Sequence, residues 1–105
     1  MSLIDDLVSA LQVLPGVGPK SAQRMALHLL QRNRQGGAHL GQILETAMDE
    51  VRQCSLCRNL TEGEICRLWR DERRDNAILC VVESPADVLA IEQAGGFRGY
   101  YFVLH

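Results

Sequence analysis

Two helical patterns are separated by the short stretch Leu14-Pro15-Gly16-Val17-Gly18-Pro19-Lys20-Ser21-Ala22. Before it, apolar residues recur at intervals of three and four, as on one face of an amphipathic helix: Leu3, Ile4, Leu7, Val8, Leu11 and Leu14. After it, Pro19 suits the first position of a second helix, which continues to about Arg32. Its apolar face consists of Ala22, Met25, Ala26, Leu29 and Leu30. The glycines between the patterns therefore predict a tight hairpin that joins two helices.

A third helical pattern follows this hairpin. We expect Gly36 and Gly37 to end the second helix, and a third helix to begin at about Leu40. Its inward side is formed by Ile43, Leu44, Ala47, Met48 and Val51. Three short helices thus predict a small helical domain over residues 1–53.

The hairpin has the features of a phosphate-binding turn. Gly16 and Gly18 lack the Cβ atom that would keep a ligand away from the backbone, and the start of the next helix presents free N–H groups. Lys20 and Arg24 lie one turn apart on that helix and can extend the contact along a nucleic-acid backbone. The motif matches a helix-hairpin-helix. The predicted DNA-binding residues are Gly16, Gly18, Lys20, Ser21 and Arg24.

The charge distribution favours this interpretation over that of an ordinary turn. The chain has a net charge of -2, which excludes a globally basic DNA-binding protein. Between Asp6 and Glu45, however, the sequence has no acidic residue. The basic residues in that interval are Lys20, Arg24, Arg32 and Arg34. This local basic stretch predicts contact with single-stranded or duplex DNA that does not depend on base sequence.

Four cysteines follow the helical patterns, at positions 54, 57, 66 and 80. A pair two residues apart, here Cys54 and Cys57, can chelate one tetrahedral metal ion, and a second pair across a short loop completes a structural zinc site. Free thiols in a reducing compartment favour metal binding or packing over disulfides. The position of the expected fourth thiolate, three residues after Cys66, holds Trp69, which cannot bind a metal. We predict a structural zinc site formed by Cys54, Cys57 and Cys66.

Two alternatives for this loop remain open. Water or a nearby carboxylate such as Asp71 can complete the set of ligands, or the thiols form a metal-free loop that Trp69 closes over. Cys80 lies in an apolar run and is expected to pack as a small apolar residue. The charged run of residues 70–76 is interpreted as a solvated connector. Residues 54–76 are therefore predicted to be a zinc-finger-like loop with its connector.

The last part of the sequence changes in character. Residues 77–82 form a continuous apolar stretch, too short for a helix and typical of a buried strand in a parallel sheet. The stretch Ser84-Pro85-Ala86-Asp87 predicts a helix start, with Ser84 as the N-cap. Residues 100–104 then predict a second strand. Residues 77–105 therefore read as a strand, helix, strand unit, and the whole chain as α+β.

Two parallel strands leave unpaired edges and an uncovered face. We therefore expect the chain to be part of a longer protein whose further strands complete the sheet. The sequence has no apolar stretch long enough for a transmembrane helix, and its start has Asp5 and Asp6 where a signal peptide has basic residues. These features predict a cytoplasmic protein that does not enter a membrane.

Two carboxylates lie near the end of the first predicted strand, where α/β sheets place functional groups. Metal-dependent phosphoryl transfer needs further carboxylates to hold magnesium, whereas the only acid after Asp87 is Glu92, in mid-helix. Asp87 is equally well explained as a helix-capping acid, and Glu83 as a contact residue. We therefore expect no enzymatic activity.

In their order and spacing these motifs resemble the bacterial RecR family of recombination proteins. The resemblance rests on the hairpin over residues 14–24, the cysteine loop, and the stretch Val81-Val82-Glu83-Ser84-Pro85-Ala86-Asp87, and it covers essentially the whole chain as an amino-terminal half. It implies a helix-hairpin-helix domain, a small zinc finger and the beginning of a Toprim domain. It also implies a non-enzymatic, ring-forming protein that works with RecO and RecF to load the recombinase RecA at single-stranded gaps.

The resemblance further implies roles for single residues. Lys20 and Arg24 match the DNA-contacting positions of the family, and Glu83 with Asp87 match the Toprim segment associated with partner contact. Three of four zinc ligands are matched, by Cys54, Cys57 and Cys66. Trp69 departs from the pattern at the fourth, which weakens the expectation of zinc.

The chain ends after the second Toprim strand, so we expect a homodimer formed through the helical domain rather than a closed ring. Two other functions remain open. A Toprim-type metal-dependent phosphotransferase predicts magnesium-dependent activity. A pure protein-interaction adaptor, whose hairpin only packs subunits together, predicts no effect when the charges of Lys20 and Arg24 are reversed.

Overall fold

The computed structural model describes residues 2–105. It contains two compact units, one up to Glu45 and one from Thr46 onward. Helices and short paired strands together make the fold α+β, as the sequence predicts. No helix in the described part of the chain combines the length and apolarity needed to cross a membrane.

The first unit is built from helices. They are α1 (Leu3–Leu11), α2 (Pro19–Arg32) and α3 (Arg34–Glu50), whose last residues are assigned to the second unit. α1 starts at a Ser2 cap, whose Oγ accepts the Asp5 N–H at 3.1 Å. α1 and α2 pack against each other, and Ala22 and Ala26 on α2 are fully buried. The predicted hairpin of two helices is therefore confirmed.

The boundary between α2 and α3 differs from the prediction, because Gly36 and Gly37 do not end a helix but lie in the first turns of α3. The break falls at Asn33, which has φ −152° and whose Oδ1 accepts the Gly36 N–H at 2.9 Å. A Cβ atom on Gly36 would collide with the Asn33 side chain. Glycine at position 36 therefore allows Asn33 to cap α3.

In the second unit, the cysteine loop contains regular structure that we did not predict. Strand β1 (Arg52–Gln53) pairs antiparallel with β2 (Leu60–Thr61), and the short helix α4 (Arg67–Arg70) follows. In the turn between these strands, the Cys54 N–H donates to the Asn59 C=O at 2.6 Å, and the Arg58 N–H donates to the Cys54 C=O at 2.8 Å. A small hairpin therefore positions the first two cysteines.

The strand, helix, strand unit at the end of the chain is confirmed. β3 (Leu79–Val82) and β4 (Tyr100–Val103) are parallel neighbours with Leu79 opposite Tyr100, and α5 (Pro85–Ala94) connects them. The prediction that β3 is buried was wrong for one face, because Leu79 and Val81 are more than half exposed. Val82, on the other face, packs in the core with Val88 of α5. In this chain β3 is thus covered on a single face.

The interpretation of residues 70–76 as a solvated connector was wrong at Arg74. Its side chain is only 11% exposed, pairs with Glu92 of α5, and donates from Nη1 to the Gly99 C=O at 2.8 Å. Glu92 also accepts the Tyr101 hydroxyl at 2.6 Å. Burial alone would raise the pKa of Glu92, but the hydrogen bonds from Tyr101 and Arg74 lower it. This network fastens the charged segment to α5 and β4.

Candidate nucleic-acid interface and metal centre

The hairpin between α1 and α2 opens the start of α2 to its surroundings. The Val17 N–H closes the turn on the Leu14 C=O at 3.2 Å, and Gly16 between them has φ +81°. Gly18 is the N-cap of α2, and its C=O accepts the Ala22 N–H at 2.9 Å. The N–H groups of the two residues after Pro19 precede this first intrahelical bond and so point out of the helix end. The arrangement is that of an anion-binding helix start.

The two glycines of the hairpin have different explanations. Gly16 needs its left-handed backbone conformation, which residues with a Cβ atom rarely adopt. Gly18 has an ordinary φ of −90°, and a Cβ atom built on it meets no protein atom within 4 Å. Neither conformation nor packing within this chain therefore requires glycine at position 18. Open space beside a helix start is what a close-approaching ligand needs.

The predicted side chains of this site lie together on the first turns of α2. Lys20 and Arg24 are exposed, and Ser21 is half-buried. The Arg24 Nη2 donates to the Ser21 Oγ at 3.4 Å, which directs the guanidinium along the same helix face. α2 has no acidic residue in its first turn. The positive end of the helix dipole and two cations are therefore near each other at one surface.

The three predicted zinc ligands come together in the second unit. The sulfur atoms of Cys54, Cys57 and Cys66 all lie within 4.8 Å of one another, and each residue is at most 3% exposed. The Cys57 and Cys66 Sγ atoms are 3.5 Å apart, and the Cys54 Sγ accepts the Cys66 N–H at 3.2 Å. Tetrahedral zinc at about 2.3 Å from each sulfur places ligand sulfurs about 3.8 Å apart. The cluster therefore fits a zinc ion.

The pKa values of these thiols differ in direction. Burial would raise the pKa of Cys54, but backbone N–H groups of Cys66, Cys57 and Leu56 lower it to about 7. Burial and the neighbouring thiols raise the pKa of Cys57 to about 12, against an opposite effect from the Asn59 backbone. One thiolate thus forms readily and the next resists ionisation. A bound cation removes that resistance, because it neutralises the charges that oppose each other.

A fourth ligand does not come from Asp71 or Trp69. In the part of the chain that the structure describes, no fourth Cys, His, Asp or Glu joins the three sulfurs. The Asp71 carboxylate instead accepts the Arg73 Nε–H at 3.0 Å, so the alternative that used it as a ligand was wrong. Trp69 packs against the core that contains the thiols, but its ring stacks on Tyr100 at a centroid distance of 4.4 Å.

The carboxylates at the end of β3 have separate roles in the structure. Asp87 Oδ2 accepts the backbone N–H groups of Glu83 and Ser84, each at 3.2 Å, and so caps α5. Glu83 is exposed. Sequence reasoning missed the contacts that Trp69 makes with Tyr100 and Tyr101, because Tyr101 lies 32 residues away along the chain and no local pattern links them.

Three family models match the chain in succession. They are the RecR helix-hairpin-helix model over residues 4–48, the RecR zinc finger domain model, which is described by four cysteines, over residues 51–68, and the Toprim domain model over residues 77–105. The zinc-finger match ends one residue before Trp69. A structural zinc ion held by the cysteine cluster agrees with both the match and the geometry.

Curated relatives match over nearly the whole chain. "Recombination protein RecR" of Saccharophagus degradans is 55% identical over 102 residues, which are 97% of this chain and 52% of the relative. The protein of the same name from Legionella pneumophila (strain Corby) is 57% identical over 104 residues, 99% of this chain and 53% of the relative. That of Acinetobacter baylyi is 57% identical over 100 residues, 95% and 50% of the two chains. The chain spans about half the length of the curated relatives it matches.

Proposed function

Because the chain belongs to the RecR family, we propose that it serves as a non-catalytic, DNA-binding scaffold in recombinational repair. In this proposal the helical unit holds the phosphate backbone of single-stranded or duplex DNA without reading the bases. The name of the relatives supports a role in recombination. The geometry of the hairpin supports the contact with DNA.

The observation that carries the proposal is the open space at Gly18. A Cβ atom there would touch nothing in the protein and would adopt an ordinary backbone conformation, so a glycine serves an approach from outside. A phosphate at this point accepts hydrogen bonds from the first N–H groups of α2 and lies near Lys20 and Arg24. Because these contacts involve the backbone of the nucleic acid, affinity falls as salt rises and does not depend on base sequence.

The second unit is proposed to act in recruitment. Glu83 is exposed at the end of β3, next to the capped start of α5, and is available to a protein partner. Asp87 supports that surface by fixing the backbone of Glu83. The partners we propose are RecO and RecF, with which the protein helps to load RecA at single-stranded gaps in the cytoplasm. The zinc cluster has a structural role, because its three thiols are buried and no further acid, cysteine or histidine of the described residues joins them.

Self-association is proposed to occur through the helical unit. Large apolar side chains of this unit are at least half exposed, which is costly unless another surface covers them. They are Leu3, Ile4, Val13, Leu14, Ile43 and Leu44. A second copy of the chain, packed on this surface as a homodimer, is the partner that the proposal names.

The test is fluorescence anisotropy of labelled single-stranded and duplex DNA over a range of salt. The variant Lys20→Glu with Arg24→Glu reverses both cations at the start of α2. The matched control, Arg32→Glu with Arg34→Glu, makes the same charge change about 18 Å further along the helical direction. We expect the first variant to lose most of the affinity and part of the salt slope, and the control to lose much less. Equal losses in both variants would contradict a specific site at the hairpin.

A further inference from the structure

The cysteine cluster has three thiols where a closed zinc site has four ligands. Structural zinc sites are closed by four protein ligands, whereas sites with three protein ligands keep the fourth position for a molecule from solution. We propose that this chain holds zinc with Cys54, Cys57 and Cys66 alone, and that the fourth coordination position is open to a small donor from solution, either water or a free thiol. This inference does not depend on DNA binding.

The first support is the commitment of Trp69 to other partners. Its Nε1–H donates to the Tyr101 C=O at 3.0 Å, and its ring stacks on Tyr100 with an angle of 25° between the planes. An indole has no lone pair that could bind a metal. The side chain three residues after Cys66 is therefore directed to β4 and leaves the metal position without a donor.

The second support is that other candidate donors are used elsewhere or are too far away. Asp71 is held by Arg73, and Glu92 is held by Arg74 and Tyr101. Cys80, on β3, is not among the thiols that lie within 4.8 Å of one another. Within residues 2–105, the only group of three or more potential metal ligands is the set of three cysteines.

The third support is a path from solution to the cluster. Cys66 is one of the residues that line a surface cavity of about 310 Å³. Apolar side chains form much of its wall, including Leu60, Leu68 and Val88, and Arg67 and Glu92 add charged groups. A donor of a few atoms fits in such a cavity. A thiol that binds there gives up its proton to solvent, and the water molecule that it replaces leaves.

The fourth support is that the loop keeps its attachment to the sheet without a fourth thiolate. Besides the Trp69 hydrogen bond, the Val103 N–H of β4 donates to the Cys57 C=O at 2.7 Å. These two bonds connect both ends of the cysteine cluster to β4. Exchange of the solution ligand therefore leaves the fold intact, and zinc is held less tightly than in a site with four thiolates.

Cobalt(II) in place of zinc tests this inference, because its visible absorption reports the ligands in a tetrahedral thiolate site. The 105-residue chain, its Trp69→Cys variant and its Cys80→Ser variant are loaded with cobalt and titrated with imidazole. We expect a saturable spectral change in the wild type and in Cys80→Ser, and none in Trp69→Cys, whose new thiol closes the site. Zinc affinity, from competition with a chromophoric chelator, should be at least about tenfold higher in Trp69→Cys, because a fourth thiolate completes the coordination.

Two results would overturn the inference. In one, the wild-type cobalt spectrum ignores imidazole, which means that a group of the protein fills the fourth position. In the other, the wild type binds no cobalt or zinc while Trp69→Cys binds both, which means that three thiolates are insufficient. Trp69→Phe provides a second variant in case Trp69→Cys fails to fold. It retains an aromatic ring, and its cobalt spectrum should respond to imidazole as the wild type does.

Discussion

The indole Nε1–H of Trp69 donates to the backbone C=O of Tyr101 at 3.0 Å, and this bond connects the segment after the cysteines to the middle of β4. The ring of Trp69 at the same time stacks on Tyr100. A position that the zinc-finger pattern assigns to a metal ligand has thus become part of the hydrophobic packing of the second unit.

This relationship predicts the stability of two variants. Trp69→Phe removes the hydrogen bond but keeps an aromatic ring, so we expect the free energy of unfolding to fall by about 1 kcal/mol. Trp69→Ala also removes the stacking and the buried ring surface, and we expect a loss of about 3 kcal/mol. Urea unfolding of zinc-loaded protein measures both. If the two variants lose the same free energy, the stacking on Tyr100 contributes nothing.

The two hairpin glycines should respond differently to substitution by alanine. Gly16→Ala places a Cβ atom at a φ of +81°, so we expect the protein to lose about 1 kcal/mol of stability. Gly18→Ala should change stability by much less, because the new atom meets open space, but should weaken DNA binding severalfold. Thermal unfolding and anisotropy separate the effects. DNA affinity that is unchanged in Gly18→Ala would remove the argument for close approach at this position.

Removal of the metal should destabilise the second unit. Zinc binding to the folded cluster adds its binding free energy to stability, so a chelator should lower the melting temperature by several degrees. Cys57→Ser removes one of the ligands and should lower the zinc content and the melting temperature together. Cys80→Ser is the matched control, because it also removes a cysteine but leaves the cluster intact. A chelator that leaves the wild-type melting curve unchanged would contradict a structural role for zinc.

The pairing of Glu92 with Arg74 and Tyr101 predicts a dependence of stability on pH. The fold lowers the pKa of Glu92 from its ordinary value of 4.5, so the folded state favours the charged form. The stability that results is complete above about pH 4.5 and is lost as the pH falls through the lower pKa of the folded state. Glu92→Gln should therefore be less stable at neutral pH and should lose less stability on acidification. Urea unfolding at several pH values from neutral to acid tests this, and parallel profiles for the two proteins are the result that would refute it.

Local patterns predicted the elements whose causes lie within a few residues. α2 begins at Pro19 and ends at Arg32 as expected, because proline at the first position and the apolar periodicity act over one or two turns. The start of α5 was equally predictable, since Asp87 caps the backbone of its own neighbours. The three thiols were predictable as a cluster because the spacing of the cysteines already restricts them to one short loop.

The errors fall where a distant or unexpected partner decides the structure. Gly36 lies inside a helix because the Asn33 side chain needs the space, and a glycine pair alone gives no sign of this. Arg74 is nearly buried because Glu92 and Gly99, far along the chain, provide its partners. For Trp69, the sequence showed only that a ligand was missing, and its hydrogen bond to Tyr101 could be found only in the folded chain.

The bond from the Val103 N–H to the Cys57 C=O has a consequence for observing the protein. Amide hydrogen exchange at Val103 depends on the opening of this one bond, and the acceptor belongs to a residue whose own sulfur binds the metal. When the metal leaves, the backbone around Cys57 loosens and the Val103 amide exchanges sooner. A single amide in the parallel sheet can therefore serve as a label-free reporter of zinc occupancy, although its own side chain carries no metal ligand.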